Sequence, residues 1–132
     1  MNSRTAWNDH FPAANPTNLY SQTYTSKQTR SGSDVYVSNC LFVSITSASD
    51  HGGALYITSV TYFLVESTSF FSCKASSGYG GGIYFNGGQS VLHTVCGNNC
   101  CSTHTSPYCQ FAYIQVSNTA SNKNYVNYSS VT

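Results

Sequence analysis

An internal repeat is the feature that most narrows what this chain can fold into. Residues 35–57 (VYVSNCLFVSITSASDHGGALYI) align without a gap on residues 63–85 (FLVESTSFFSCKASSGYGGGIYF), at an offset of 28. Val37 meets Val65, Phe42 meets Phe70 and Ile45 meets Cys73. The run from Gly52 and Gly53 through Leu55, Tyr56 and Ile57 meets Gly80, Gly81, Ile83, Tyr84 and Phe85. A third unit is looser: residues 91–96 fit the strand at 65–70 at an offset of 26, and residues 110–114 fit 81–85 at an offset of 29. Between them lies a longer arm. A fourth unit starts at residues 125–131, which resemble 36–42, and stops at Thr132. Upstream, Asn18, Leu19 and Tyr20 read as a degenerate copy of Ala54, Leu55 and Tyr56.

The local patterns are those of strands. Val35 and Val37, Phe63 and Val65, Leu55 and Ile57, and Ile83 and Phe85 alternate with other residues at period two. No segment shows a sustained helical period with caps, so no helix is expected. Gly pairs and Asn-Gly-Gly punctuate the strands as turns. A unit of this length cannot bury its apolar face alone. Aligned positions repeat chemical type, Phe on Phe and Tyr on Tyr, which favours parallel stacking at ~4.8 Å per coil. The expected fold is all-β, a short parallel solenoid of about three 28-residue coils over residues 35–132. Residues 1–34 carry Trp7, Phe11, Leu19, Tyr20 and Tyr24 and are expected to be an end cap or a tail.

At these residues the chain resembles a known family. The segments NCLF, GGALY, ESTSFFSC, GGIY and YVNYSS are similar to those of a multigene family of parasitic flagellates described as polymorphic-membrane-protein-like. GGALY and GGIY also resemble the GGA(I/L/V) repeats of bacterial polymorphic outer-membrane proteins. The resemblance covers roughly residues 36–132 and implies a right-handed parallel β-helix of the pectate-lyase-like type. The bacterial repeats add FxxN, whereas this chain reads Phe42-Val-Ser-Ile45 and Phe70-Phe-Ser-Cys73. The third unit has Gln110 and Phe111 where Gly and Ala belong.

Composition trims the functions open to such a fold. Only 7% of residues are charged and the net charge is +1, which leaves no phosphate-neutralising footprint for nucleic acid. Ser, Thr and Asn fill 48 of 132 positions, and six Cys with few Lys suit a secreted or surface segment. The first ten residues have no apolar core, so no signal peptide is read there, and no stretch is long enough to span a bilayer. Together these suggest a piece of a larger protein or a truncated gene copy. One glycosylation sequon, at Asn127, is present.

Three features are candidates for chemistry. Cys96, Cys100, Cys101, His104 and Cys109 form a Cys/His arm that suits soft-metal ligation, a stapling disulfide from Cys100 or Cys101 to Cys109, or inert thiols. Cys96 aligns with Phe70 and is expected in the core. Tyr56, Tyr84 and Tyr113 form a column that either binds sugar rings or a partner protein, or stacks to stabilise adjacent strands. Replacing Tyr84 by Ala would tell these apart. The run from Gly78 to Ile83 fails as a phosphate loop and reads as a tight turn. The acids Asp9, Asp34, Asp50 and Glu66 do not stack in register, so no carboxylate pair or calcium cluster is expected. The reading is a non-catalytic surface or adhesion-type module without a cofactor. Its expected partner is a host-surface protein or glycan, and its open β edges invite end-to-end self-association. The alternatives are a degenerate carbohydrate-binding or polysaccharide-degrading β-helix, or a fragment without independent function.

Overall fold

A computed structural model of the chain describes residues 3–12, 15–103, 110–117 and 123–132. Among the described residues one helix, α1 (Ser3–His10), precedes thirteen strands. They are β1 (Thr17–Tyr20), β2 (Thr23–Tyr24), β3 (Gln28–Ser31), β4 (Val35–Ser38), β5 (Leu41–Val43), β6 (Thr46–Ser47), β7 (Leu55–Phe71), β8 (Lys74–Ala75), β9 (Ile83–Asn98), β10 (Cys101–Ser102), β11 (Ala112–Val116), β12 (Asn124–Asn127) and β13 (Ser130–Val131). The described strands pair only in parallel. The described chain is therefore mostly β, with α1 its one helix, and it advances in successive layers.

Residues aligned at the offset of 28 are ladder partners: Val37 with Val65, Phe42 with Phe70, Leu55 with Ile83 and Tyr56 with Tyr84. Inward columns follow. Leu19, Val37, Val65, Leu92 and Val126 form one, and Ile57, Phe85 and Ile114 another. Phe42 lies on Phe70 with ring centres 4.8 Å apart and planes at 6°. Tyr24 continues that stack at 5.0 Å.

The corners explain part of the Ser and Asn content. Ser21, Asn39, Ser67, Thr94 and Tyr128 have φ between 46° and 56° and mark one corner in successive layers, after β1, β4 and β12 and inside β7 and β9. Ser44, Ser72 and Asn99, with φ of 53°, 54° and 52°, mark the next corner. Short polar side chains tolerate this left-handed conformation better than apolar ones. Neighbouring corners also bond: Asn39 Nδ2 donates to Ser21 Oγ at 3.1 Å, and Asn99 Nδ2 to Ser72 Oγ at 3.2 Å.

Three sequence expectations change. First, Ser59 is an extra residue in a bulge between Thr58 and Val60, and the offset drops from 28 to 27. Val65 thus pairs with Leu92 rather than Val91, and Cys96 with Ser69 rather than Phe70. A one-residue slip swaps faces, so Cys96 is exposed and not a core thiol. Gly97 sits beside Phe70, and a Cβ there would come within 2.8 Å of the Phe111 ring that fills this space.

Second, Leu19 lies beside Val37 at an offset of 18, in the column of β4 and not of Leu55. It is Gln28, Thr29 and Arg30 that pair with Leu55, Tyr56 and Ile57, so residues 17–31 form a layer of their own.

Third, α1 was not legible. It is short and polar, and Trp7 with the adjoining Phe11 are its anchors at i and i+4. They pack on Tyr36, Leu64 and Val91, the outward residues of three successive layers. That cover is why all four β4 residues are buried, where a one-sided strand would alternate.

Candidate functional site

The Tyr column lies along one lateral face. Tyr56 and Tyr84 stack at 5.2 Å and 16°, and Tyr84 and Tyr113 at 5.3 Å and 4°. A second stack interleaves with it. His51 lies on Tyr84 at 4.5 Å and on Tyr79 at 5.3 Å, and Tyr79 lies on Tyr113 at 5.0 Å. His51 is held by its backbone neighbourhood: Tyr79 N–H donates to its Nδ1 at 2.9 Å. Lys27 closes the upper end, with its ammonium 5.0 Å from the Tyr56 ring centre and donating to the His51 carbonyl at 2.6 Å. Burial pushes the Lys27 amine below its ordinary value, and Asp50 works against that shift.

In-register strands put like residues within stacking distance, so the rings use their faces on one another. Tyr56 and Tyr113 are half-buried and Tyr84 is buried between them. Tyr84 is only 9% exposed and sandwiched on both faces, so replacing it by Ala would alter packing and surface together.

The Cys/His arm is divided by its strands. Cys96 is exposed beside Ser130 Oγ at 3.4 Å, while Cys100 is buried. Cys101 is disulfide-bonded, and its partner is none of the free cysteines Cys40, Cys73, Cys96 and Cys100. His104 and Cys109 lie outside the described residues. Among the described residues no three His, Cys, Asp or Glu side chains converge on a metal position. Asn127 is half-buried, with its Oδ1 2.6 Å from His93 Nδ1.

A polar cluster that sequence reasoning missed lines the edge of α1. Glu66 pairs with His93 across β7 and β9, and Ser38 with Glu66 across β4 and β7. The Tyr36 hydroxyl and Ser38 Oγ both donate to Glu66 Oε1. Burial and that carboxylate push the Tyr36 hydroxyl well up. From α1, His10 brings its ring 5.9 Å from His93 and its Nδ1 2.5 Å from the Tyr125 hydroxyl. Lys123 Nζ donates to the His10 carbonyl at 2.6 Å and so caps the helix end. Sequence separation hid this group, since His10 and Tyr125 are 115 residues apart.

Burial lowers the His10 pKa below 6.5; His93 and Lys123 add to this, and Asp9 and Glu66 oppose it. The folded contact therefore prefers neutral His10. Its stabilising contribution is complete above the ordinary His value and is lost as pH falls from there through the lower folded value. Trp7 is the single tryptophan. Acidification is expected to increase acrylamide quenching of Trp7 while β-sheet circular dichroism holds, and His10→Gln is expected to flatten that dependence. Unchanged quenching down to pH ~5 would refute the link.

No family model, no curated protein and no solved structure matches this chain.

Proposed function

We propose that the parallel layers form a right-handed β-helix, related to the polymorphic-membrane-protein-like repeats, that serves as a non-catalytic surface or adhesion-type contact module. The observation that carries this reading is the lateral row of Tyr56, Tyr84 and Tyr113, extended by His51 and Tyr79. It is a stacked strip with one cation, Lys27, at its end, and its rings recur at about the layer spacing of ~4.8 Å. Such a strip suits a partner that offers repeated hydrogen-bonding groups along a line, namely a glycan chain or an extended host-surface polypeptide. Three of the four acids are occupied separately: Asp34 accepts from Tyr62 N–H, Asp50 from His51 N–H and Glu66 from the Tyr36 hydroxyl. No catalytic role is assigned to them.

The test removes hydroxyls without removing rings. A double variant Tyr56→Phe and Tyr113→Phe retains the stack and is expected to melt like the parent. On a glycan array and on host cells it is expected to lose binding by ~10-fold or more, from two net hydrogen bonds of ~1 kcal/mol each. Equal binding by parent and variant would remove the column from the contact. Cleavage of an arrayed polysaccharide would overturn the non-catalytic reading.

A further inference from the structure

Cys73 and Cys100 are joined by no bond, yet the layer offset of 27 brings them together. Lys74 pairs with Cys101 and Ala75 with Ser102, and Cys101 N–H donates to the Cys73 carbonyl at 2.9 Å. The residues just before these pairs, Cys73 and Cys100, are thus neighbours on adjacent parallel strands. Strand neighbours are ~4.8 Å apart, inside the Cα range of ~4.4–6.8 Å that a disulfide accepts. Cys73 N–H points at Cys100 Sγ at 3.3 Å.

The two sulfurs are not equivalent. Cys73 Sγ is fully buried and faces acceptors, the carbonyls of Phe42 at 3.6 Å and Phe71 at 3.5 Å. Acceptors disfavour a thiolate there. Cys100 Sγ also faces an acceptor, the Asn98 carbonyl at 3.4 Å, but it receives the Cys73 N–H, and residue Cys100 keeps 5% exposure. It also lines a cavity of about 330 Å³ together with Asn98, Asn99, Cys101 and Thr132. Cys100 is among the residues lining that cavity and Cys73 is not.

We propose that Cys100 and Cys73 are a dithiol modification site for small-molecule disulfides, in which Cys100 attacks and Cys73 resolves. The Cys100 thiolate attacks one sulfur of RSSR, the S–S bond breaks, and RS⁻ leaves with the electron pair. Cys73 then gives its proton to water, and its thiolate attacks Cys100 Sγ and expels the second RS⁻. The pair is oxidised by two electrons to a Cys73–Cys100 disulfide, and RSSR is reduced to two thiols. The product staples the layer holding Cys73 to the layer holding Cys100. The neighbouring Cys73 side chain draws the Cys100 thiol below its usual range against the opposing effect of burial, and Cys100 together with burial pushes the Cys73 thiol up.

Oxidised glutathione, alkylation and peptide mass spectrometry test this on the native full chain with its Cys101 disulfide intact. Trypsin cuts after Lys74 and separates the two cysteines onto different peptides. The parent is expected to yield a Cys73–Cys100 cross-linked peptide pair. Cys73→Ser is expected to trap glutathione on Cys100, and Cys100→Ser to leave Cys73 unmodified. Both variants are checked for folding by Trp7 emission. Independently of any variant, bimane labelling of Cys100 in the parent is expected to rise with a midpoint below the ~8.5 of a free thiol. The proposal is overturned if glutathione decorates exposed Cys96 while Cys73 and Cys100 both remain thiols. It is equally overturned if Cys100 labels only above the free-thiol midpoint.

Discussion

Phe70→Ala is expected to cost ~3–5 kcal/mol, enough to unfold most of a marginally stable domain. Phe70 is fully buried, face to face with Phe42 at 4.8 Å and edge-on to Phe111 at 5.3 Å and 72°. It therefore joins three layers. The site cannot collapse, because the rings on either side are held by backbone ladders whose spacing is set by hydrogen bonds. Urea denaturation followed by circular dichroism would measure the loss. Phe70→Leu keeps most of the volume and is expected to lose far less, ~1.5 kcal/mol. Equal losses in the two variants would show that the stacked geometry, rather than volume, is what Phe70 supplies.

Gly81→Ala is expected to be nearly as damaging, for a different reason. A Cβ on Gly81 would stand 2.2 Å from Cys101 N and 2.4 Å from Cys101 C. Both are backbone atoms of the next layer, so no side chain can rotate away. The layers would have to part at the turn where Gly81 N–H donates to the Gln110 carbonyl at 2.8 Å. A cost of ~3 kcal/mol follows, at the upper end for overpacking. Gly32→Ala is the control. Gly32 has φ of +84° but nothing within 4 Å of the added Cβ, so only its backbone conformation is penalised, by ~1–2 kcal/mol. Melting temperatures of the two variants separate close approach from conformation. A Gly81→Ala protein as stable as Gly32→Ala would sink the close-packing account.

Much of the pairing was legible because a parallel stack copies chemical type from layer to layer. Phe42 with Phe70 and Tyr56 with Tyr84 with Tyr113 could be read from alignment alone. The match of residues 125–131 to 36–42 also holds through the intervening layers: Tyr125 pairs with Val91, Val91 with Leu64 and Leu64 with Tyr36. The extra residue at Ser59 was legible only as a change of offset and not in its size: residues 91–96 read as offset 26, and the bulge makes it 27. That single slip moved Cys96 to the surface and set Gly97 beside Phe70.

The sequence by itself determined the strand class, the 28-residue spacing of the central layers and the Tyr column, because these depend on period and on residue type. It also held an apolar stripe at outward positions, though not the helix that covers it. Leu64 and Val91 are apolar at outward positions, while Glu66 and His93, two places along, are polar. Only the tertiary structure decided what covers that stripe, because Trp7 and Phe11 reach it across more than fifty residues of chain in the case of Leu64. It likewise decided that Glu66, His93 and His10 share one edge and that Cys73 adjoins Cys100. Those encounters depend on the register between layers. A one-residue bulge changes that register, and the free energy deciding it is spread over the whole stack rather than written in any local pattern.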